Sequence, residues 1–304
     1  MSDPSFSIGA VERDTGLSKD VLRMWERRYG FPNPERDAHG ERLYPAEQVE
    51  RLRLIKRLMD QGHRPGKLVT APIEELASLA PRRPRPPQNE HDAASSASLE
   101  ELLALIKQHD TNRYVHTLQL RLARQGLQSF VEDIVAPMAQ LVGLAWEDGR
   151  FEVYEEHLFT ELTKRVLRQA IVALPRGPGA PRVLLTTVPE ELHILGLLMV
   201  EALLAMEGAE CIPLGTQMPL LEISRAAEAH RADIVALSFS GAFPSRQIPD
   251  LLLQLRKLLP DDVELWVGGA GMARATPPEG VRQFHTLEQG TAALNDWRSR
   301  HPQA

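Results

Sequence analysis

Val183-Leu184-Leu185-Thr186-Thr187-Val188 is a short apolar, β-branched run, and Glu191-Leu192-His193-Ile194-Leu195-Gly196 follows it almost at once. The first reads as a buried strand and the second as the turn beyond its carboxyl end. A carboxylate two residues before a histidine can take the proton of one ring nitrogen and leave the other facing a metal. A glycine three residues after the histidine lets something bulky approach the backbone. The layout points to His193 as an axial metal ligand, Glu191 as its orienter and Gly196 as the clearing beside it. A lone histidine is more often a plain surface or core residue, so the reading rests on its surroundings.

Working outward, strands and helices alternate. Strand patterns fall at 211–214, 234–239, 264–267 and near 283–285, and helical patterns at 192–207, 220–230, 245–258 and 288–299. Such alternation predicts a doubly wound, Rossmann-like parallel sheet over residues 181–304. Ligands bind such sheets beyond the carboxyl ends of the strands. Leu214-Gly215, Ser238-Phe239-Ser240 and Gly268-Gly269 all fall in that zone.

Upstream, Leu102, Leu103, Leu105 and Ile106 recur at helical spacing after Ser98, and further amphipathic stretches cover 111–124, 128–146 and 155–174. They predict a four-helix bundle over 98–174. Trp146 ends one stretch and Glu156-His157 opens the next after Gly149, which gathers the three at one end of the bundle. Pro81-Arg82-Arg83-Pro84-Arg85-Pro86-Pro87 and the polar run after it predict an interdomain linker over 81–97.

Residues 1–80 read as a winged helix-turn-helix. A helix, a turn at Gly16 and a second helix capped by Ser18 give the reading unit, and 31–45 give a hairpin wing. Arg23, Arg27, Arg28, Arg36 and Arg42 are candidate phosphate or guanine contacts, and Trp25, Tyr29 and Tyr44 candidate packers on the sugar-phosphate backbone. With a net charge of −6, DNA binding must come from placement, not from overall charge. The single cysteine, Cys211, excludes a disulfide framework and thiolate-rich metal sites. No signal segment and no apolar run of membrane length (~18 residues) are evident, and the expected compartment is the cytoplasm.

The run 23–34 with Arg42-Leu43-Tyr44 resembles the MerR family of winged-helix transcription regulators over residues 6–70. That resemblance implies double-stranded operator DNA as partner and a dimer or higher homo-oligomer. Glu191–Gly196 resembles the lower-ligand loop of the cobalamin-binding domains of methionine synthase and the mutases, with Glu191 where Asp is usual. The family's strand-end Leu-Gly-x-x-x-Pro is matched by Leu214–Pro219 and its Gly pair by Gly268-Gly269. Its Ser-x-Leu or Ser-x-Thr is matched at Ser238, with Ser240 departing at the third position. These matches imply a cobalamin cradle. Trp146 with Glu156-His157 resembles the bundle that caps cobalamin in CarH-type and LitR-type photoreceptor regulators. There the Trp and the Glu-His pair accommodate a 5′-deoxyadenosyl group. Relatives of that type have a second histidine directly after the Trp, where this chain has Glu147.

The resemblances imply a light-responsive repressor, not an enzyme, that uses adenosylcobalamin. Methylcobalamin or no cofactor are the alternatives. A light-independent regulator sensing cobalamin, another ligand or a protein partner is the second expectation.

Overall fold

The computed structural model describes residues 5–37, 39–60, 63–79, 90–175 and 179–302. The chain divides into two compact units, Met1–Pro84 and Arg85–Ala304.

In the first unit, strand β1 (Ser5–Ser7) precedes helix α1 (Ile8–Thr15), and the Ser7 hydroxyl caps that helix by accepting from Ala10 N. Phe6 lies in β1, opposite Tyr44. Gly16, at φ 68°, ends α1, and Ser18 caps α2 (Lys19–Tyr29) through Val21 N at 3.3 Å. The wing is β2 (Glu35–Arg36) against β3 (Arg42–Pro45), and the antiparallel sheet runs β1-β3-β2. Helices α3 (Ala46–Asp60), α4 (Pro65–Leu68) and α5 (Ile73–Ser78) follow. Val11, Leu22, Trp25, Tyr44, Leu52 and Ile55 form the centre of this unit's core.

The second unit opens with α6 (Glu90–Lys107). Its first turns occupy residues assigned to the linker, so Ser98 lies inside a helix rather than at its start. Residues 81–89 lie outside the described residues. Alanines and charged residues favour helix even without an apolar stripe, which is why the polar run folds this way. α7 (Thr111–Phe130) is broken at Gly126 (φ 79°, ψ 167°) and passes through a π-helical turn (Val131–Val135) into α8 (Ala136–Glu147). Pro137 lacks an N–H and crowds the preceding turn, which widens there. α9 (Val153–Val172) completes the bundle.

The α/β layer follows: β4 (Arg182–Thr186), α10 (Leu195–Met206), β5 (Glu210–Gly215), α11 (Leu220–His230), β6 (Ile234–Ser238), α12 (Ile248–Leu258), β7 (Glu264–Gly268), β8 (Val281–Gln283) and α13 (Leu287–Arg300). The sheet order is β5-β4-β6-β7-β8, with every pairing parallel. Alternate residues of β4 face opposite sides: Val183 and Leu185 join the core with α10 and α13, and Leu184 joins the core with α11 and α12.

α10 is apolar nearly all round because it is covered on both sides. Leu195, Leu198, Ala202 and Leu203 belong to the bundle core, whereas Leu197 and Leu204 belong to the sheet core. Each fully buried leucine contributes about 1.5–3 kcal/mol, so this one helix binds bundle and sheet into a single unit.

Candidate functional site

The strand order reverses between β4 and β6, which opens a crevice beyond their carboxyl ends. The loop after β4 carries Glu191 and His193, and β6 ends at Ser238. Glu191 is 1% exposed, yet every bond it needs is made. Its Oε1 accepts from His193 Nδ1 at 2.7 Å and His193 N at 3.0 Å, and its Oε2 accepts from Ser240 N at 2.8 Å. The Ser240 hydroxyl lies 3.1 and 2.9 Å from the two oxygens. Burial alone would raise the Glu191 carboxyl; the bonds from His193 and Ser240 outweigh it and hold the group below the ordinary carboxylate range.

An ionised carboxylate only accepts, so Nδ1 of His193 is the donor and Nε2 is left open. The imidazole is half exposed (53%). The hydrogen bond to Glu191 raises its pKa against burial, and the charges of Glu191 and Glu156 add to this. Glu156, from the first turn of α9, therefore stands within electrostatic reach of His193.

Two neighbours complete the loop that sequence reasoning passed over. Thr187 Oγ1 donates to Glu191 O at 2.6 Å and accepts from Gln217 N at 2.9 Å, tying the His193 loop to the turn after β5. Thr186 Oγ1 donates to Gly215 O at 3.0 Å. Both threonines are fully buried, and two adjacent hydroxyls at the end of an apolar strand were the available signal. Gly215 has φ 82°, a left-handed value that a side chain would strain, and Leu214 packs on the sheet core.

Gly196 faces Ser238: a Cβ there would sit 2.4 Å from the Ser238 hydroxyl, which has no hydrogen-bond partner among the described residues. Gly269 (φ 97°) has no room either, since a Cβ would meet Phe239 O at 2.3 Å. At Gly268 the nearest atom is Phe284 O at 3.5 Å, an ordinary contact. The two glycines thus differ: Gly269 lets the β7 turn press on the Phe239–Ser240 backbone that presents Ser240 to Glu191. Gly271, missed in the sequence, does the same against Ser240 O at 2.5 Å.

On the bundle, Gly149 N donates to Trp146 O and Phe151 N to Ala145 O, a tight connection that brings the end of α8 to the start of α9. Trp146 is half-buried against the bundle core. Glu156 Oε2 lies 2.9 Å from His157 Nδ1, and His157 is exposed. The Glu147 side chain lies outside the described residues. An open groove of about 460 Å³ runs along α9 beside Ile194, lined by Glu161, Leu162, Lys164, Arg165, Arg168 and Ile194.

In the first unit Arg23, Arg27, Arg28 and Arg36 are exposed, and Tyr29 is half-buried with Arg28 stacked on its ring at 5.3 Å. Trp25 and Tyr44 do not lie on this surface. They are 2% and 0% exposed and belong to the core, where helical and strand periodicity put them. Arg42 is not free: its Nε and Nη2 reach the Glu26 carboxylate at 2.7 and 3.3 Å, joining wing to α2. Ser18 acts as the α2 cap.

Residues 6–69 match the MerR HTH family regulatory protein family. Residues 98–171 and 181–285 each match a B12 binding domain. Over 279 residues the chain is 31% identical to the HTH-type transcriptional repressor CarH of Myxococcus xanthus, covering 89% of this chain and 90% of that protein. The chain belongs to the CarH-type regulators of the MerR family. The HTH-type transcriptional repressor CarA of Myxococcus xanthus is 29% identical over 297 residues, 96% of this chain and 97% of that protein. The monomethylamine corrinoid protein of Methanosarcina barkeri shares the fold, with a TM-score of 0.52 and 15% identity over 64% of this chain and 96% of that one. This CarH-type chain is therefore a cobalamin-binding transcription regulator and not an enzyme. Among its described residues no helix is long and apolar enough to cross a membrane.

The site also fits the cofactor on its own geometry. Among the described residues no cluster of three or more His, Cys, Asp or Glu is placed to hold a bare metal ion. A single oriented imidazole instead suits a metal whose other positions a macrocycle already fills. The glycine at 196 leaves room for the Ser238 hydroxyl, which a Cβ there would meet at 2.4 Å.

Proposed function

We propose that the chain is a light-responsive repressor that binds operator DNA as an adenosylcobalamin-loaded homo-oligomer in the cytoplasm. The observation that carries this reading is the Glu191–His193 pair at the sheet's switch point, with Glu156 of the bundle in electrostatic reach of the same imidazole. Adenosylcobalamin, when bound, supplies a cobalt–carbon bond that visible light breaks.

His193 would hold the cofactor's cobalt through Nε2, with Glu191 fixing its ring and Ser240 fixing Glu191. The Ser238 hydroxyl, beside the turns at Leu214-Gly215 and Gly268-Gly269, would bond the cofactor's tail, and Gly196 leaves room for that hydroxyl. Trp146, Glu156 and His157 of the bundle would accommodate the adenosyl group. With that group present the bundle is held in one position, which favours the oligomer. Several DNA heads then bind one operator, and their linkage multiplies a weak single-head affinity. Loss of those contacts on illumination would free the bundle, and the oligomer and its avidity would go with them.

Arg23, Arg27, Arg28 and Arg36 contact DNA directly, with Tyr29 beside them. Arg42 braces the wing and shields the Glu26 carboxylate from the phosphates. Arg42→Ala is expected to lower operator affinity roughly 10- to 150-fold, the 1.5–3 kcal/mol of a charge-assisted hydrogen bond. Gel shifts over a salt series measure it, and an unchanged affinity speaks against the brace.

The reading itself is tested on duplexes selected from a random pool by the dark, cofactor-loaded protein. Anisotropy at fixed salt is expected to fall to the unbound level after green light. Equal affinity in dark and light contradicts the light response, and equal affinity with and without cofactor contradicts cofactor dependence as well.

A further inference from the structure

α9 and α10 meet at the seam between bundle and sheet, and one ion pair lies in it. Glu201 is the only ionisable residue of α10, whose remaining residues are all apolar. It is 4% exposed, and Arg168 Nη1 of α9 donates to its two oxygens at 3.0 and 2.8 Å. Burial raises the Glu201 carboxyl above the ordinary range, and the charge and hydrogen bond of Arg168 pull it back only in part.

Glu201 is buried while Arg168 is 36% exposed, and a well-packed apolar residue at 201 would often stabilise such a seam as well, so stability does not explain the charge. Register does. The apolar side chains of α9 and α10 belong to one continuous core, and apolar contacts carry no direction of their own. A slide would leave Glu201 buried without its partner, which is costly. α9 carries Glu156 in its first turn and Arg168 about 18 Å further along. α10 begins two residues after His193.

We infer that Arg168–Glu201 is a register pin: it fixes where α9 lies along α10 and so holds the Glu156–His157 turn at a set distance from His193. Both are positioning residues. Arg168 also lines the groove beside Ile194, so the pin sets one wall of that space. The effect on cofactor affinity rests on the function proposed above; the register itself does not.

The test uses the full chain in a Cys211→Ser background, with nitroxide labels on cysteines replacing the exposed Tyr154 of α9 and Leu253 of α12. Double electron–electron resonance without cofactor is expected to give one narrow distance. The variant Arg168→Met/Glu201→Met is expected to melt within about 3 °C of its parent while its distance broadens or moves by up to one helical turn, ~5 Å. Its affinity for hydroxocobalamin is expected to weaken roughly tenfold, the size of a lost supporting contact. A parent-like narrow distance in that variant overturns the pin. If it does not fold, Glu201→Leu, which leaves Arg168 no acceptor at 201, is read in its place, and an unchanged distance there overturns the inference equally. A parent chain that binds no cobalamin overturns the proposed function and leaves the distance to decide the pin.

Discussion

Replacing His193 with alanine is expected to weaken cobalamin binding by more than the ~10–100-fold that loss of a supporting partner costs a metal site. His193 supplies the only nitrogen that the β4 loop aims outward with its other ring nitrogen already bonded, at 2.7 Å, to a buried carboxylate. Glu191→Gln keeps the shape of that loop but removes the acceptor charge, and its loss is expected to be smaller. The two variants therefore separate ligation from orientation. Unfolding of the DNA head is expected to be unaffected in both, since it forms its own unit with its own core. Absorbance titration with hydroxocobalamin measures the binding, and wild-type affinity in His193→Ala contradicts the axial assignment.

Gly269→Ala is expected to lower the melting midpoint of the second unit steeply, whereas Gly268→Ala is expected to be nearly neutral. The new methyl at 269 would press on Phe239 O at 2.3 Å and would need a φ of 97°. A side chain in such a conformation costs about 1–3 kcal/mol, and overpacking against fixed backbone about 1–3 kcal/mol more. A total of about 4 kcal/mol corresponds to a fall of roughly 8–16 °C for a unit of this size. Calorimetry on both variants decides it: equal small shifts would mean that the β7 turn yields freely and does not position Ser240.

The architecture was largely legible because most elements are amphipathic and bounded by breakers. Helix α11 has the bounds its pattern predicted, 220–230, with Pro219 before it. Helix α10 was read from Leu192 but begins at Leu195. Periodicity sees apolar side chains, not the bonds from Glu191 to His193 and Ser240 that hold the preceding loop out of the helix. The start of α6 was illegible for the opposite reason, since its first turns carry no apolar stripe.

Within the site, Glu191, His193 and Gly196 stood out by spacing and Ser238 by resemblance, and the structure joins Glu191 to His193 and sets Gly196 against Ser238. Ser240 looked like a departure from the pattern, and the structure makes it the second clamp on Glu191. Trp25 and Tyr44 were misjudged because aromatic residues beside arginines suggested a surface role; the inward spacing from Leu22 to Trp25 was the better signal. The Arg168–Glu201 pair spans 33 residues between two elements and leaves no local trace in the sequence.

The most direct test is the full-length protein mixed with adenosylcobalamin in darkness, with absorbance and size-exclusion mass recorded before and after green light. The account predicts a bound corrinoid spectrum, a dark oligomer larger than the monomer, and dissociation on illumination. A bound spectrum with the same mass in dark and light contradicts the light switch; no bound corrinoid at all contradicts the cobalamin site itself.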